Sequence, residues 1–167
     1  MVRVDTVLDT WGSVRADAAR AVQEWPAAEM GFRAAPELMS YGEIARHILD
    51  AGHGLTGILL SGETDFQAAD FRAKLAGYYS GLNDDAGPGE LAEAMERLAA
   101  ERIEAMRGQS PEWWAAVVRK WDGQELTRLE YIQFVKEHEL THRSQLFLYM
   151  RLKGMVPPTT RRRLAKK

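Results

Sequence analysis

The sequence predicts an all-α protein, a four-helix bundle with short extra helices in its crossovers. Four segments of about 20 residues repeat apolar side chains at three- and four-residue steps. Two of them open on capping boxes, Ser40 with Glu43 and Thr127 with Glu130. Two of the connections are long enough to be crossovers, an arrangement that bundles accommodate.

The first helix carries Val4, Val7, Leu8, Trp11, Val14, Ala18, Val22 and Trp25 on one stripe, and Pro26 stops it. The second starts at Ser40 and runs to about Gly62. The stretch DFQAADFRAKLAGYY that follows predicts a two- to three-turn helix in the crossover. NDDAGPGE then places Pro88 in the first turn of the third long helix, which ends near Gly108. SPEWWAAVVRKW opens on a Ser cap and Pro and reads as another short helix, and the Asp122-Gly123 turn leaves a hairpin possible. The last long helix begins after Thr127 and ends at Gly154, with Pro157 and Pro158 beyond. One domain over residues 1–158 and a basic tail, TTRRRLAKK, over 159–167 complete the chain.

A chain of 167 residues is one domain's length, enough to bury roughly two-thirds of its unfolded surface. Hydrophobic residues make up 46% and charged residues 28%, a globular mixture. A net charge of -2 offers no general attraction to nucleic acid or anionic lipid, and a short basic tail is ordinarily a solvated end. The absence of cysteine removes disulfides, thiolate ligands and a cysteine nucleophile, and suits the cytoplasm. The opening residues hold no apolar stretch of signal-peptide length, and no run is long and apolar enough for a membrane span.

The chain has four histidines, and their helical positions decide what they can do. His138 and His142 lie about 40° apart on the last helix, one above the other. Tyr131, Phe134, Val135, Gln145 and Tyr149 point within about 40° of the same direction, whereas Arg143 and Met150 point well away. On the second helix His47 shares the apolar stripe with Ile44, Ala51, Gly54 and Ile58. His53 is about 120° from His47 and belongs to a flank or the surface. Three imidazoles from two helices therefore face the interior. Buried neutral imidazoles need partners for both nitrogens, and a divalent metal supplies one partner to all three at once. His47, His138 and His142 are accordingly the candidate metal ligands.

His138-Glu-Leu-Thr-His142 also spells H-E-x-x-H, the zinc-protease helix. Such proteases take a third ligand from downstream, yet the chain after His142 contains no His, Asp or Glu. The protease reading fails. Glu139 lies about 80° from the centre of the histidine pair, where it is either a general base beside the metal or a helix-flank glutamate reaching solvent. Asp50, about 60° from His47, is a candidate to orient an imidazole. Tyr131, Gln145 and Tyr149 are candidate pocket residues with an equal claim to be core. Trp113, Trp114 and Trp121 would cover a pocket mouth or dimer interface, or cap the end of the bundle.

The inward histidine in EIARHILDAGHG, the closing helix HELTHRSQLFLYMRLKGMVPP and the preceding WDGQELTRLEYI together resemble the DinB-like (DinB/YfiT-like) metalloenzyme family. The family's common H-x-x-x-H-R-x-Q motif carries Gly where this chain has Ser144, on the face away from the metal. The resemblance implies a homodimeric four-helix bundle in which His47, His138 and His142 hold zinc or nickel. It implies, for some relatives, transferase or isomerase activity that uses a low-molecular-weight thiol such as bacillithiol or mycothiol. The expected function is thus a metal-dependent transferase or hydrolase that activates a thiol cosubstrate or water against a small electrophile. Because the chain lacks cysteine, the thiol must be a cosubstrate. The alternative is a non-catalytic stress protein that binds metal or a small ligand.

Overall fold

A computed structural model describes residues 3–166. Four long helices, α1 (Val4–Gln23), α2 (Tyr41–Leu60), α4 (Pro88–Arg107) and α6 (Arg128–Leu152), build the bundle. Three short helices, α3 (Phe71–Ala76), α5 (Pro111–Ala115) and α7 (Pro158–Leu164), decorate its connections. Helices α1 and α2 each pack against both α4 and α6, so α1 and α2 face each other across the bundle.

The helix starts follow the local chemistry of the sequence. Ser40 Oγ accepts from the Glu43 N–H at 3.2 Å while the Glu43 carboxylate accepts from the Ser40 N–H at 2.7 Å. Thr127 and Glu130 repeat the arrangement at α6, with distances of 3.2 and 2.8 Å. At α4 Pro88 opens the first turn and Glu90 reaches back to the Gly87 N–H at 3.0 Å. Helix α6 closes on Gly154 at φ 74°, where the Met155 N–H donates to the Met150 carbonyl at 2.8 Å.

The connection after α5 departs from the expected short helix. Its chain leaves helical geometry at Ala116 and forms strand β1 (Val117–Arg119), which pairs antiparallel with β2 (Glu125–Thr127) around the Asp122-Gly123 turn. Val118 is buried between exposed neighbours, a period-two pattern that suits β-branched residues better than a further helical turn. The crossover helix is also shorter than expected. Backbone groups of Thr64 and Phe66 bond to Arg119 at 2.8 Å each, so residues 64–66 lie beside β1 and α3 begins only at Phe71. Residues 159–164 of the stretch expected as a solvated basic end lie in α7 against α1, where Arg162 pairs with Asp17 and Arg161 with Glu24, and Lys167 lies outside the described residues.

The apolar interior falls into two clusters. One contains Trp25, Tyr41, Leu91, Met95 and Met150, the other Trp11, Phe66, Met106, Trp114 and Ile132. Along α1 the break between them falls at Arg15, along α2 at residues 50–54, and along α6 at residues 136–145. A polar layer remains at that level: His138 and His142 sit in the α6 break, and His47, just before the α2 break, reaches them there. Among the described residues no helix is long and apolar enough to cross a membrane.

Candidate metal centre

His47 from α2 and His138 and His142 from α6 converge in that layer. The Nε2 atoms of His47 and His138 are 3.1 Å apart, and those of His142 and His138 are also 3.1 Å apart. One nitrogen from each ring lies within 4.8 Å of the other two, which makes the trio a group able to hold a metal ion. Nitrogens bound about 2.1 Å from a shared ion at tetrahedral to octahedral angles stand about 3.0–3.4 Å from each other. The two pairs that include His138 already have that spacing. Gln145 Oε1 lies 2.7 Å from His142 Nδ1, so that nitrogen donates and Nε2 is left as the free lone pair.

Burial, then His142, His47 and Arg15, push the His138 imidazole down to about 4, so it stays neutral at physiological pH. Burial and His142 lower His47 as well, against the opposing pull of Asp50. Neutral rings with inward lone pairs are the state that coordinates a cation.

A cavity of about 900 Å³ adjoins the trio, with His47 and His138 in its wall. Leu55, Phe71, Leu75, Tyr79, Trp121 and Phe134 give it an apolar side, and Arg33, Arg46 and Arg72 sit among its charged groups. Its size is that of a small-molecule site. Arg33 is answered by Glu43, whereas Arg46 donates to the main-chain carbonyls of Leu82 and Asn83, which hold the guanidinium without neutralising it. Trp121 therefore sits at the pocket, while Trp114 is buried in the core and Trp113 stacks against Arg128.

The other candidates fall elsewhere. Glu139 is fully buried rather than at a solvent-facing flank, and both its carboxylate oxygens are bound by Arg15, with Nε to Oε2 at 2.9 Å. With both oxygens engaged by one guanidinium, neither is left free to act on a molecule at the histidines, which argues against its expected role as a general base. Tyr131 and Tyr149 are core residues and do not line the cavity. Tyr131 packs on Phe66, and the Tyr149 hydroxyl donates to the Met39 carbonyl at 2.8 Å. Gln145 contacts a candidate ligand rather than the cavity. Asp50 accepts from the Ser80 N–H and hydroxyl at 2.9 and 2.6 Å and pins the crossover, with no bond to an imidazole. His53 is half-buried against α4, its Nε2 3.1 Å from Arg102 Nη2. Arg15 escaped the sequence reading. Its one signal there is an arginine in the apolar stripe of the first helix, between Trp11 and Ala18.

A sequence model of the DinB superfamily matches residues 10–146. The chain belongs to the DinB superfamily. Solved DinB-like structures share its fold. YjoA from Bacillus subtilis, a DinB-like protein, superposes with a TM-score of 0.69 at 18% identity over 90% of this chain and 93% of its own. YfiT from Bacillus subtilis, described as a probable metal-dependent hydrolase with an unusual four-helix bundle topology, gives 0.66 at 16% over 93% and 91%. A mycothiol-dependent maleylpyruvate isomerase gives 0.64 at 16% over 87% of this chain, which spans 61% of that longer protein. Identities this low carry the four-helix-bundle fold alone. No protein of curated function matches the chain in sequence.

Proposed function

We propose that this DinB superfamily member is a metal-dependent transferase or hydrolase acting on a small electrophile, with His47, His138 and His142 as the ligands of zinc or nickel. The observation that carries the proposal is the convergence of three imidazole nitrogens, His138 Nε2 standing 3.1 Å from both His47 Nε2 and His142 Nε2, beside a small-molecule cavity. Imidazole donors suit zinc and nickel among the divalent ions. Held by three neutral ligands, such an ion keeps its full charge and supplies the Lewis acidity that favours ionising a thiol or water near neutral pH.

The residues of the chain supply the rest. Gln145 fixes the tautomer of His142, Phe71, Trp121 and Phe134 give the cavity an apolar wall, and Arg46 and Arg72 offer positive charge to an anionic group on thiol or substrate. The likeness to a mycothiol-dependent isomerase supports a low-molecular-weight thiol as cosubstrate. Because the chain has no cysteine, any thiol nucleophile arrives as a cosubstrate, and the same absence suits a reducing cytoplasm. Homodimerisation is proposed from the family resemblance, and a sedimentation mass twice that of one chain would bear it out.

A second reading, a non-catalytic metal- or ligand-binding protein, is favoured by one observation. Glu139, the carboxylate beside the ligands, is engaged by Arg15. The two readings separate on turnover. Metal-loaded protein should consume a model electrophile in the presence of a low-molecular-weight thiol, or hydrolyse it with water, and His47→Ala should not. Stoichiometric metal with no turnover across a panel of thiols and electrophiles supports the non-catalytic reading.

A further inference from the structure

We infer that Arg15 and Glu139 are positioning residues for the three-histidine site, a buried pair that fixes the rotation of α6 against α2. The inference rests on the reading of the trio as a metal site. Arg15 projects from α1 into the polar layer, where its Nη2 donates to Glu139 Oε1 and also to the Ile48 carbonyl at 3.1 Å. Its Nε donates to Glu139 Oε2 at 2.9 Å. Ile48 directly follows His47, and Glu139 directly follows His138. One planar guanidinium therefore grips the backbone beside one ligand and the side chain beside another, on two different helices.

The geometry of a helix makes that grip consequential. A ring nitrogen stands about 6–7 Å from its helix axis, so a rotation of about 10° displaces it by about 1 Å. Metal–ligand distances tolerate about 0.2 Å. A two-pronged charged contact adds geometric specificity on the scale that such a tolerance calls for.

Two further observations point the same way. Arg15 and Glu139 are 1% and 0% exposed, and a buried ion pair gains little stability over apolar residues of similar volume because both charges lose their water. The best-attested return on such a pair is registry. Gly52 on α2 is the second. A Cβ there would overlap both Arg15 Nη2 and Glu139 Oε1, so the helix that carries His47 is shaped to receive the pair.

Cobalt(II) titration of the whole chain tests this, with affinity and the visible d–d spectrum as readouts and cooperative denaturation as the control for folding. Wild type should bind one ion and His138→Ala should lose it. The double variant Arg15→Met/Glu139→Leu removes both charges at similar volume, and it should bind cobalt at least tenfold more weakly with an altered d–d band. Gly52→Ala keeps both charges and displaces the pair, and it should shift affinity and spectrum in the same direction. Either variant, cooperatively folded and with the affinity and spectrum of wild type, overturns the inference. Equal binding by wild type and His138→Ala removes the metal reading itself, and the inference falls with it.

Discussion

Arg15 and Glu139 form a two-pronged ion pair in the interior of the bundle, Nε to Oε2 at 2.9 Å, with neither side chain reaching solvent. Removing one partner strands the other charge without water. Glu139→Ala should therefore cost about 3–5 kcal/mol of stability, while Arg15→Met/Glu139→Leu should stay within about 1 kcal/mol of wild type or exceed it. Urea denaturation of the three proteins measures both. A single-variant cost below about 1 kcal/mol would mean that water reaches the pair.

Gln145 acts on the site through His142, accepting from Nδ1 at 2.7 Å. Gln145→Leu should weaken metal binding about tenfold or more while leaving the fold intact. A residue that merely contacted substrate would leave metal affinity unchanged, so an isothermal titration with zinc separates the two roles.

His53 makes part of the stability depend on pH. Burial, then Arg102 and Arg15, push its imidazole from 6.5 down to about 4, against a weaker upward pull from Glu101 and Asp50. Between those values the unfolded chain binds the proton and the folded chain does not. The contribution is thus complete above pH 6.5 and is lost as pH falls toward about 4. His53→Gln, which still accepts from Arg102 but does not titrate, should flatten that part of the profile. Denaturation midpoints at pH 7 and 4.5 check it, and an unchanged slope would show that His53 is not responsible.

Asp50 holds the crossover against α2 through both donors of Ser80. Ser80→Ala removes the hydroxyl bond to a charged acceptor and should cost about 1–2 kcal/mol. The loss should be local, as faster hydrogen exchange over residues 71–82, the wall of the cavity that carries Phe71, Leu75 and Tyr79. Unaltered exchange there would mean that the apolar contacts of α3 alone hold the wall.

The sequence makes the bundle legible because its long helices announce themselves locally. The capping boxes at Ser40 and Thr127, Pro88 in a first turn and Gly154 at an end each mark a boundary within four residues of chain. The three candidate ligands are legible for a related reason, since spacing on one helix and an apolar stripe on another suffice to aim them inward. What was hidden depends on distant pairing. Three residues of β1 and the truncation of α3 follow from Arg119 bonding to Thr64 and Phe66, which no local window shows. A helical wheel gives direction but not neighbour. It left Glu139 between the metal and solvent and put Met150 away from the interior, yet α6 is flanked by both α1 and α2 and buries both residues. Tyr131 and Tyr149 point inward as expected, but above and below the metal layer, where the interior is filled core.

The central claim is that His47, His138 and His142 hold a metal. The most direct test is the metal content of protein purified without a histidine tag, beside His47→Ala and His138→Ala. About one zinc or nickel per wild-type chain, lost in both folded variants, is the predicted result. Wild-type protein that takes up no metal even on reconstitution, with both variants folded and otherwise unchanged, would contradict the account and leave the histidines as structural residues of the bundle.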